Sequence, residues 1–450
     1  MRSVKIGFVP SHRPMFKDDA SIAMRNRTLK VLSGIEGVEV VIPDDKLTQG
    51  GLVRDDEDAE KTIELFRNKK IDGILIGGMN FGDEVSAVSV VSAFPKTPTM
   101  VFAVKEEPAV TKKERRDSFC GTLSTASGLY RRNLPFLFAG VCLPEEAAFR
   151  DSIRNFVRVC SVVNGFLGAK IGLVGPRPER FETCAFYEVA MAKEFGQRLV
   201  PVSSADIFFA ADKIPKDDPE LVETIRGISQ SGVAEVKKEI LEKMARLECA
   251  LRRFAKEKKI AGMGIRCWPT SIMSYGVLPC HTMGRLTDQG YMSSCEADVY
   301  GALSMVLQYL VTLQSSVPHF IDWTAQHPTL KDVFLAWHCG NAPPTLACEG
   351  CTVQVSNFGA GSFKLRTGVV TLCRLAEYDG KFKLLVTKGE VISDEAVPQT
   401  GSWVKVPNLE KLYRTLAEEG FVHHASMVFG DYAQPLIDSC KFLGIETVVV

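Results

Sequence analysis

The chain has no long uninterrupted hydrophobic run. Its longest apolar stretch, Tyr300 to Leu313, is broken by Gln308. That falls short of the roughly 20 residues a membrane-spanning helix needs, so no membrane partner is expected. Charge of one sign is lacking too: 54 Lys plus Arg balance 54 Asp plus Glu, which removes the broad basic field that draws nucleic acid. The one compact basic run, Lys112-Lys113-Glu114-Arg115-Arg116, reads as a solvated loop or a subunit contact. Three signature loops are missing: the phosphate-binding GxxxxGK[ST], a GxGxxG between strand and helix, and the GxSxG nucleophile elbow. Nucleotide-dependent phosphoryl transfer, simple dinucleotide redox chemistry and serine hydrolysis all lose weight with them. The segment Val4 to Pro10 is too short and polar for a signal peptide and reads as a first strand. No repeat or low-complexity tract occurs.

Thirteen cysteines, an odd number scattered along the chain, point to reduced, mostly buried thiols in a cytoplasmic protein. Cys348-Glu349-Gly350-Cys351 is a lone CxxC, for which a zinc or redox role is the weaker reading. Histidine is scarce, and six of the seven lie beyond residue 280. Side-chain chemistry is therefore expected in the second half.

At 450 residues the chain has room for two or three cores. Strand-like runs at Val4–Pro10, Val38–Pro43, Ile71–Gly77 and Thr99–Lys105 alternate with helical stretches such as Asp56–Lys70. A long helix is expected from Pro144 to about Phe166. A second alternation runs from Lys170 through helices Cys184–Phe195 and Val233–Lys258, strands Arg198–Val202 and Ile260–Cys267, and a helix Ser293–Leu313. From Thr352 the pattern becomes short strands with glycine turns. The fold class is α/β: two doubly wound, Rossmann-like domains (1–167 and 168–317) followed by a smaller antiparallel β-rich C-terminal domain (318–450). The central domain carries Glu296 and the last carries Asp322, His338 and His424.

These four residues form a candidate metal centre. Glu296 heads an apolar helical stripe with Tyr300, Leu303, Leu307 and Leu310. It reads equally as the acid of a capping box from Ser293 or as a ligand. Asp322 follows His319-Phe320-Ile321 and is expected at a strand end. His338 follows the apolar run Val333 to Trp337. In doubly wound sheets functional groups collect beyond the carboxyl ends of strands. In the late pair His423-His424, neighbours on an extended segment point opposite ways, so one at most binds a given ion. Carboxylates with imidazoles make a hard site suited to Mn²⁺, Mg²⁺ or Zn²⁺.

The order CEADVYGALSM, an acid about 26 residues on, WHCGNAP and a late HH resembles the L-fucose isomerase and L-arabinose isomerase superfamily. The likeness extends to Gly121-Thr122-Leu123-Ser124 and to Gly368 through Arg374. It implies aldose–ketose isomerisation with Mn²⁺, or another divalent cation such as Co²⁺ or Mg²⁺. It implies that Glu296 and Asp322 ligate the metal and transfer protons, that His424 is the late ligand, and that His338 matches a ligand of the arabinose enzymes. His423 falls at a substrate-contacting position, and Pro10 to Pro14, with His12 and Arg13, matches a loop that reaches a neighbouring subunit's site. Arg266, Trp268 and Asn341 are further candidates for binding sugar hydroxyls. A small sugar is the implied partner, and the assembly a homo-oligomer, trimer or hexamer, with shared sites. The chain departs from the family by being shorter than the fucose enzymes and by Ile265-Arg266-Cys267-Trp268 in place of a glutamine-rich segment. Competing readings are a metal-dependent aldolase, dehydratase or epimerase, and a sugar-binding or sensor protein.

Overall fold

The computed structural model describes residues 3–107, 115–230, 236–392, 397 and 399–450. The chain divides into two compact units, Met1–Gly165 with Asp438–Leu443, and Phe166–Ile437 with Gly444–Val450. Among the described residues no helix is long and apolar enough to cross a membrane. Lys112 to Glu114 of the basic run, and Val233 at the expected start of a helix, lie outside the described residues; that helix is described over Lys238–Lys258.

The first unit is built on five parallel strands, β1 (Val4–Ser11), β2 (Val38–Val41), β3 (Gly73–Gly78), β4 (Thr99–Val104) and β5 (Leu137–Cys142), in the order β2-β1-β3-β4-β5. Every residue of β3 and β4 is buried, as expected of a parallel sheet covered on both faces. Asp55 and Asp83 cap the following helices by accepting from the amides of Asp58 and Ser86. The long helix begins at Ala147, three residues after Pro144.

The second unit combines two sheets. Four parallel strands, β6 (Lys170–Val174), β7 (Arg198–Val202), β8 (Gly262–Ile265) and β9 (Met292–Cys295), run in the order β7-β6-β8-β9. The other sheet takes β10 (His319–Gln326), β11 (Val333–Trp337), β14 (Gly368–Tyr378), β15 (Lys381–Val391), β16 (Ser402–Lys405), β17 (His424–Phe429) and β18 (Glu446–Val449), with the small pair β12 (Gln354–Val355) and β13 (Gly361–Ser362) separate. β14 pairs with β17 and with β15, so six antiparallel strands close into a barrel, and β18 adds parallel to β15. Closure leaves no free edge among those six. Ile321, Phe334, Leu372, Leu385 and Met427 fill the interior. Helix Val299–Val311 packs on β8 and β9 and also on β14 and β17. Twelve of its thirteen residues are buried, the expected condition of a helix apolar all round.

The structure corrects three local expectations. Residues 292–295 are strand, and the helix starts at Val299, so Ser293 is no cap and Glu296 lies outside the helical stripe. Asp298 is the cap, accepting from the Gly301 amide at 2.8 Å. Asp322 lies inside β10, which continues four residues past it. Cys348 and Cys351 form a disulfide rather than reduced thiols. Eleven other cysteines are free, nine of them buried.

Candidate active site

Glu296 owes its position to a tight reversal between β9 and the helix after it. Glu296 and Ala297 both take left-handed backbone conformations, φ 60° and 58°, which are sparsely populated by residues with side chains. The reversal is pinned by Ala297 N–H donating to Ile265 O at 3.1 Å and by the Ser294 hydroxyl donating to Asp298 O at 2.6 Å. Gly264 on β8 makes room: a Cβ there would meet the Ala297 carbonyl carbon at 2.7 Å. A parallel sheet thus delivers Glu296 into the second unit's interior.

Asp322 and the histidines come from the antiparallel barrel. Register pairs Asp322 with His424 on β17 and with Trp337 on β11, one residue before His338. Strand ends of a doubly wound sheet are therefore not what gathers these groups. His424 Nε2 lies 3.0 Å from Glu296 Oε2 and 3.6 Å from Asp322 Oδ1, and His338 Nε2 lies 3.9 Å from the same Asp322 oxygen. Among the described residues, Glu296 Oε2, Asp322 Oδ1, His338 Nε2 and His424 Nε2 are all buried with no hydrogen-bond partner. Four unsatisfied atoms of ligand type facing one another are costly unless something bridges them. Asp322, His338 and His424 satisfy the spacing for one ion, so the donor set fits a hard or borderline divalent cation.

Behind these atoms sits a charge network that sequence reasoning missed. Asp298, fully buried, binds the equally buried Arg374 through two contacts of 2.5 and 3.1 Å and lies 2.8 Å from His424 Nδ1. An ionised carboxylate only accepts, so His424 Nδ1 carries the proton and Nε2 is turned toward Glu296 and Asp322. A lone arginine inside the apolar strand Gly368–Arg374, and an aspartate just before an apolar helix, were the available signals. Phe320 packs on both imidazoles, with ring centroids 5.4 Å from His338 and 4.8 Å from His424.

Electrostatics separates the two acids. Burial pushes the Glu296 carboxyl up, but the attraction of His424, 3.0 Å away, outweighs it, and the net shift is downward. Burial of Asp322 wins over the opposing attraction of His338, and its pKa is raised. Burial raises the Asp298 carboxyl, but Arg374 and His424 more than reverse this and hold it far below the carboxylate range. His424 is lifted well above its usual value, because Asp298 and Glu296 overcome its desolvation. For His338, burial pulls down and the neighbouring Cys339 sulfur pushes up, to about 9. Its Nδ1 accepts from the Cys339 amide at 2.9 Å.

The other expected residues are placed unevenly. Trp268 is 41% exposed, and its Nε1 donates to Glu296 Oε1 at 2.9 Å. Phe181, unremarked in the sequence, stands edge-on to Trp268 at 5.6 Å and to His423 at 5.8 Å. His423 is exposed at one edge beside the buried His424, their ring centroids 4.1 Å apart; partial desolvation by the protein around it, together with the His424 charge, lowers its pKa to about 4. Trp268, Phe181 and His423 thus make an aromatic rim beside Glu296. Arg266 follows β8, with a buried Nε that has no hydrogen-bond partner. Asn341 is turned away to His319 Nε2, at 3.3 Å. His12 and Arg13 belong to the first unit. There His12 contacts Ser21, Asn80 and Asp18 at 2.9, 2.8 and 2.9 Å, and Arg13 binds Glu84 and Gly82 O and lies over the Phe81 ring.

Comparison with known proteins adds an independent finding. Residues 7–167 match the model for the fucose/sulfoquinovose isomerase N-terminal domain, and residues 337–450 that for the L-fucose isomerase C-terminal domain. A sulfoquinovose isomerase of Priestia aryabhattai is 27% identical over the full length of both chains. One from Clostridium sp. (strain MSTE9) is 23% identical, again over all of both. An L-arabinose isomerase of Thermotoga maritima is 23% identical over 68% of this chain and 64% of its own.

Proposed function

The chain belongs to the L-fucose isomerase-like superfamily and is an aldose–ketose isomerase; we propose that it acts on an open-chain sugar at the Glu296–Asp322–His424 centre, with a divalent cation. The observation that supports this reading is the convergence of four buried, unpartnered ligand atoms from four separate segments. Glu296, Asp322 and His424 would hold the ion, His424 through Nε2 once that nitrogen has released its proton while Nδ1 keeps its own toward Asp298. His338 Nε2 stands beside Asp322. When bound, the cation supplies Lewis-acid polarisation and a template for the sugar's first two oxygens.

Isomerisation moves one proton from C2 to C1 and another from O2 to O1, through a cis-enediol. Two carboxylates with opposed tendencies suit it. Glu296, held ionised beside His424, is ready to accept a proton. Asp322, raised by burial, is readier to hold and release one. Trp268 fixes one Glu296 oxygen, which leaves the other free to work. The aromatic rim offers faces on which the C–H surface of a sugar packs. On the strength of the resemblance, the proposal takes Mn²⁺ as the ion and a cytoplasmic homo-oligomer as the working form.

The test is ketose formation by purified, chelator-treated protein with and without added Mn²⁺, using sulfoquinovose, L-fucose and L-arabinose. Turnover of one of them that depends on the metal and is lost in Glu296→Gln is expected. No ketose from a wider panel of pentoses, deoxyhexoses and modified hexoses would overturn the reading.

A further inference from the structure

A group of sulfur atoms lies on the protein side of the proposed centre and takes no part in the chemistry above. Cys295 immediately precedes Glu296, and Cys339 immediately follows His338. Cys295 Sγ, Cys339 Sγ and a His338 ring nitrogen all lie within 4.8 Å of one another. Cys280 Sγ is 3.8 Å from Cys339 Sγ, and Cys267 Sγ is 3.1 Å from Cys295 Sγ. Cys267, Cys280 and Cys295 are buried, and Cys339 is half-buried.

We propose that Cys295, Cys339 and His338 form a second cation site, one for a thiophilic ion of the Zn²⁺ or Cu⁺ class, with Cys280 packed beside Cys339. Four argued points carry this. Cys295 Sγ, Cys339 Sγ and a His338 nitrogen lie within 4.8 Å of one another, about the span of donors bound at ~2.3 Å to one ion. Sulfur with imidazole selects the soft and borderline metals, whereas the neighbouring oxygen-rich centre selects hard ones, so the two sites differ in what they take. The donors come from distant parts of the chain: the end of β9 and the turn after β11. That makes the cluster a product of the fold and not of one local motif. Cys267 Sγ, in contact with Cys295 Sγ, holds that sulfur in position. An ion bound here ties together the two segments that present Glu296 and His338.

The experiment uses the reduced full-length protein, stripped with chelator and then saturated with Mn²⁺ to fill the oxygen-rich centre. Titration with Co²⁺ alone as probe is followed by thiolate-to-cobalt charge-transfer absorption, which oxygen and nitrogen ligands do not produce. One equivalent of Co²⁺ is expected to develop the band, Zn²⁺ to displace it, and both Cys339→Ser and Cys295→Ser to weaken or abolish it. The Cys348→Ser/Cys351→Ser double variant is expected to keep it. Absence of the band in reduced wild type overturns the proposal, whatever the variants do. So does loss of the band in the Cys348/Cys351 double variant, which assigns the ion to that pair, or its persistence in Cys339→Ser.

Discussion

Asp298 and His424 meet across the second unit, Oδ2 to Nδ1 at 2.8 Å, with Arg374 bound to both oxygens of the same carboxylate. The contact joins the cap of a buried helix to the first residue of a barrel strand. It sets which nitrogen of His424 faces the centre, and it keeps two opposite charges together in a dry interior.

Asp298→Asn is expected to keep the fold and to lower Mn²⁺ affinity by about 10–100-fold, the usual cost of removing a carboxylate that orients a ligating histidine. Arg374→Met leaves the buried Asp298 carboxylate with His424 and the Gly301 amide but without its guanidinium, and is expected to cost about 3–5 kcal/mol of stability. Metal titration by calorimetry and denaturant melts measure the two. Unchanged affinity in Asp298→Asn counts against the orienting role.

Glu296→Gln and Asp322→Asn are each expected to lower kcat by about 10²–10⁴-fold, the range for a positioned general acid or base. Circular dichroism should stay native. If Glu296→Gln turns over normally while melting at a lower temperature, Glu296 is structural and the proposed pair is wrong.

Gly264→Ala tests the reversal that presents Glu296. The added methyl must displace the Ala297 main chain, which stands at 2.7 Å. Overpacking of this kind costs about 1–3 kcal/mol. Activity is expected to fall much further than thermal stability, because the shifted segment carries the acid. Crystal structures and kcat of the variant check it; full activity would mean that the reversal tolerates movement.

Acid stability should report two buried histidines. Burial lowers His281 and His319 to about 3, so both stay neutral in the fold while the unfolded chain binds protons below its ordinary value near 6.5. Their contribution is fully present above about pH 6.5 and is lost as pH falls from there toward 3. Each adds a slope approaching about 1.4 kcal/mol per pH unit inside that window. Urea midpoints measured from pH 7 to 4 for wild type and His281→Leu should show a shallower decline in the variant. Parallel declines would remove His281 from the account.

Much of the scaffold was legible from periodicity. β1 and β4 lie within a residue of their expected limits, because fully apolar runs between helical patterns leave little choice. The junction at Cys295 to Asp298 was misread as helix, because capping-box spacing is a local signal and the strand pairing of β9 with β8 is not. The disulfide between Cys348 and Cys351 overturns the expectation of reduced thiols there, since spacing alone does not fix pairing.

The sequence by itself determined the α/β class, the succession of elements and the residue types a metal-assisted isomerase requires, because hydrophobic period and side-chain chemistry are local properties. Only the tertiary structure decided that Glu296 leaves a parallel sheet while Asp322 and His424 face each other across an antiparallel one. It alone decided that Asp298 and Arg374 stand behind them. Those relations depend on strand register and on burial between distant segments, and no stretch of chain encodes either alone.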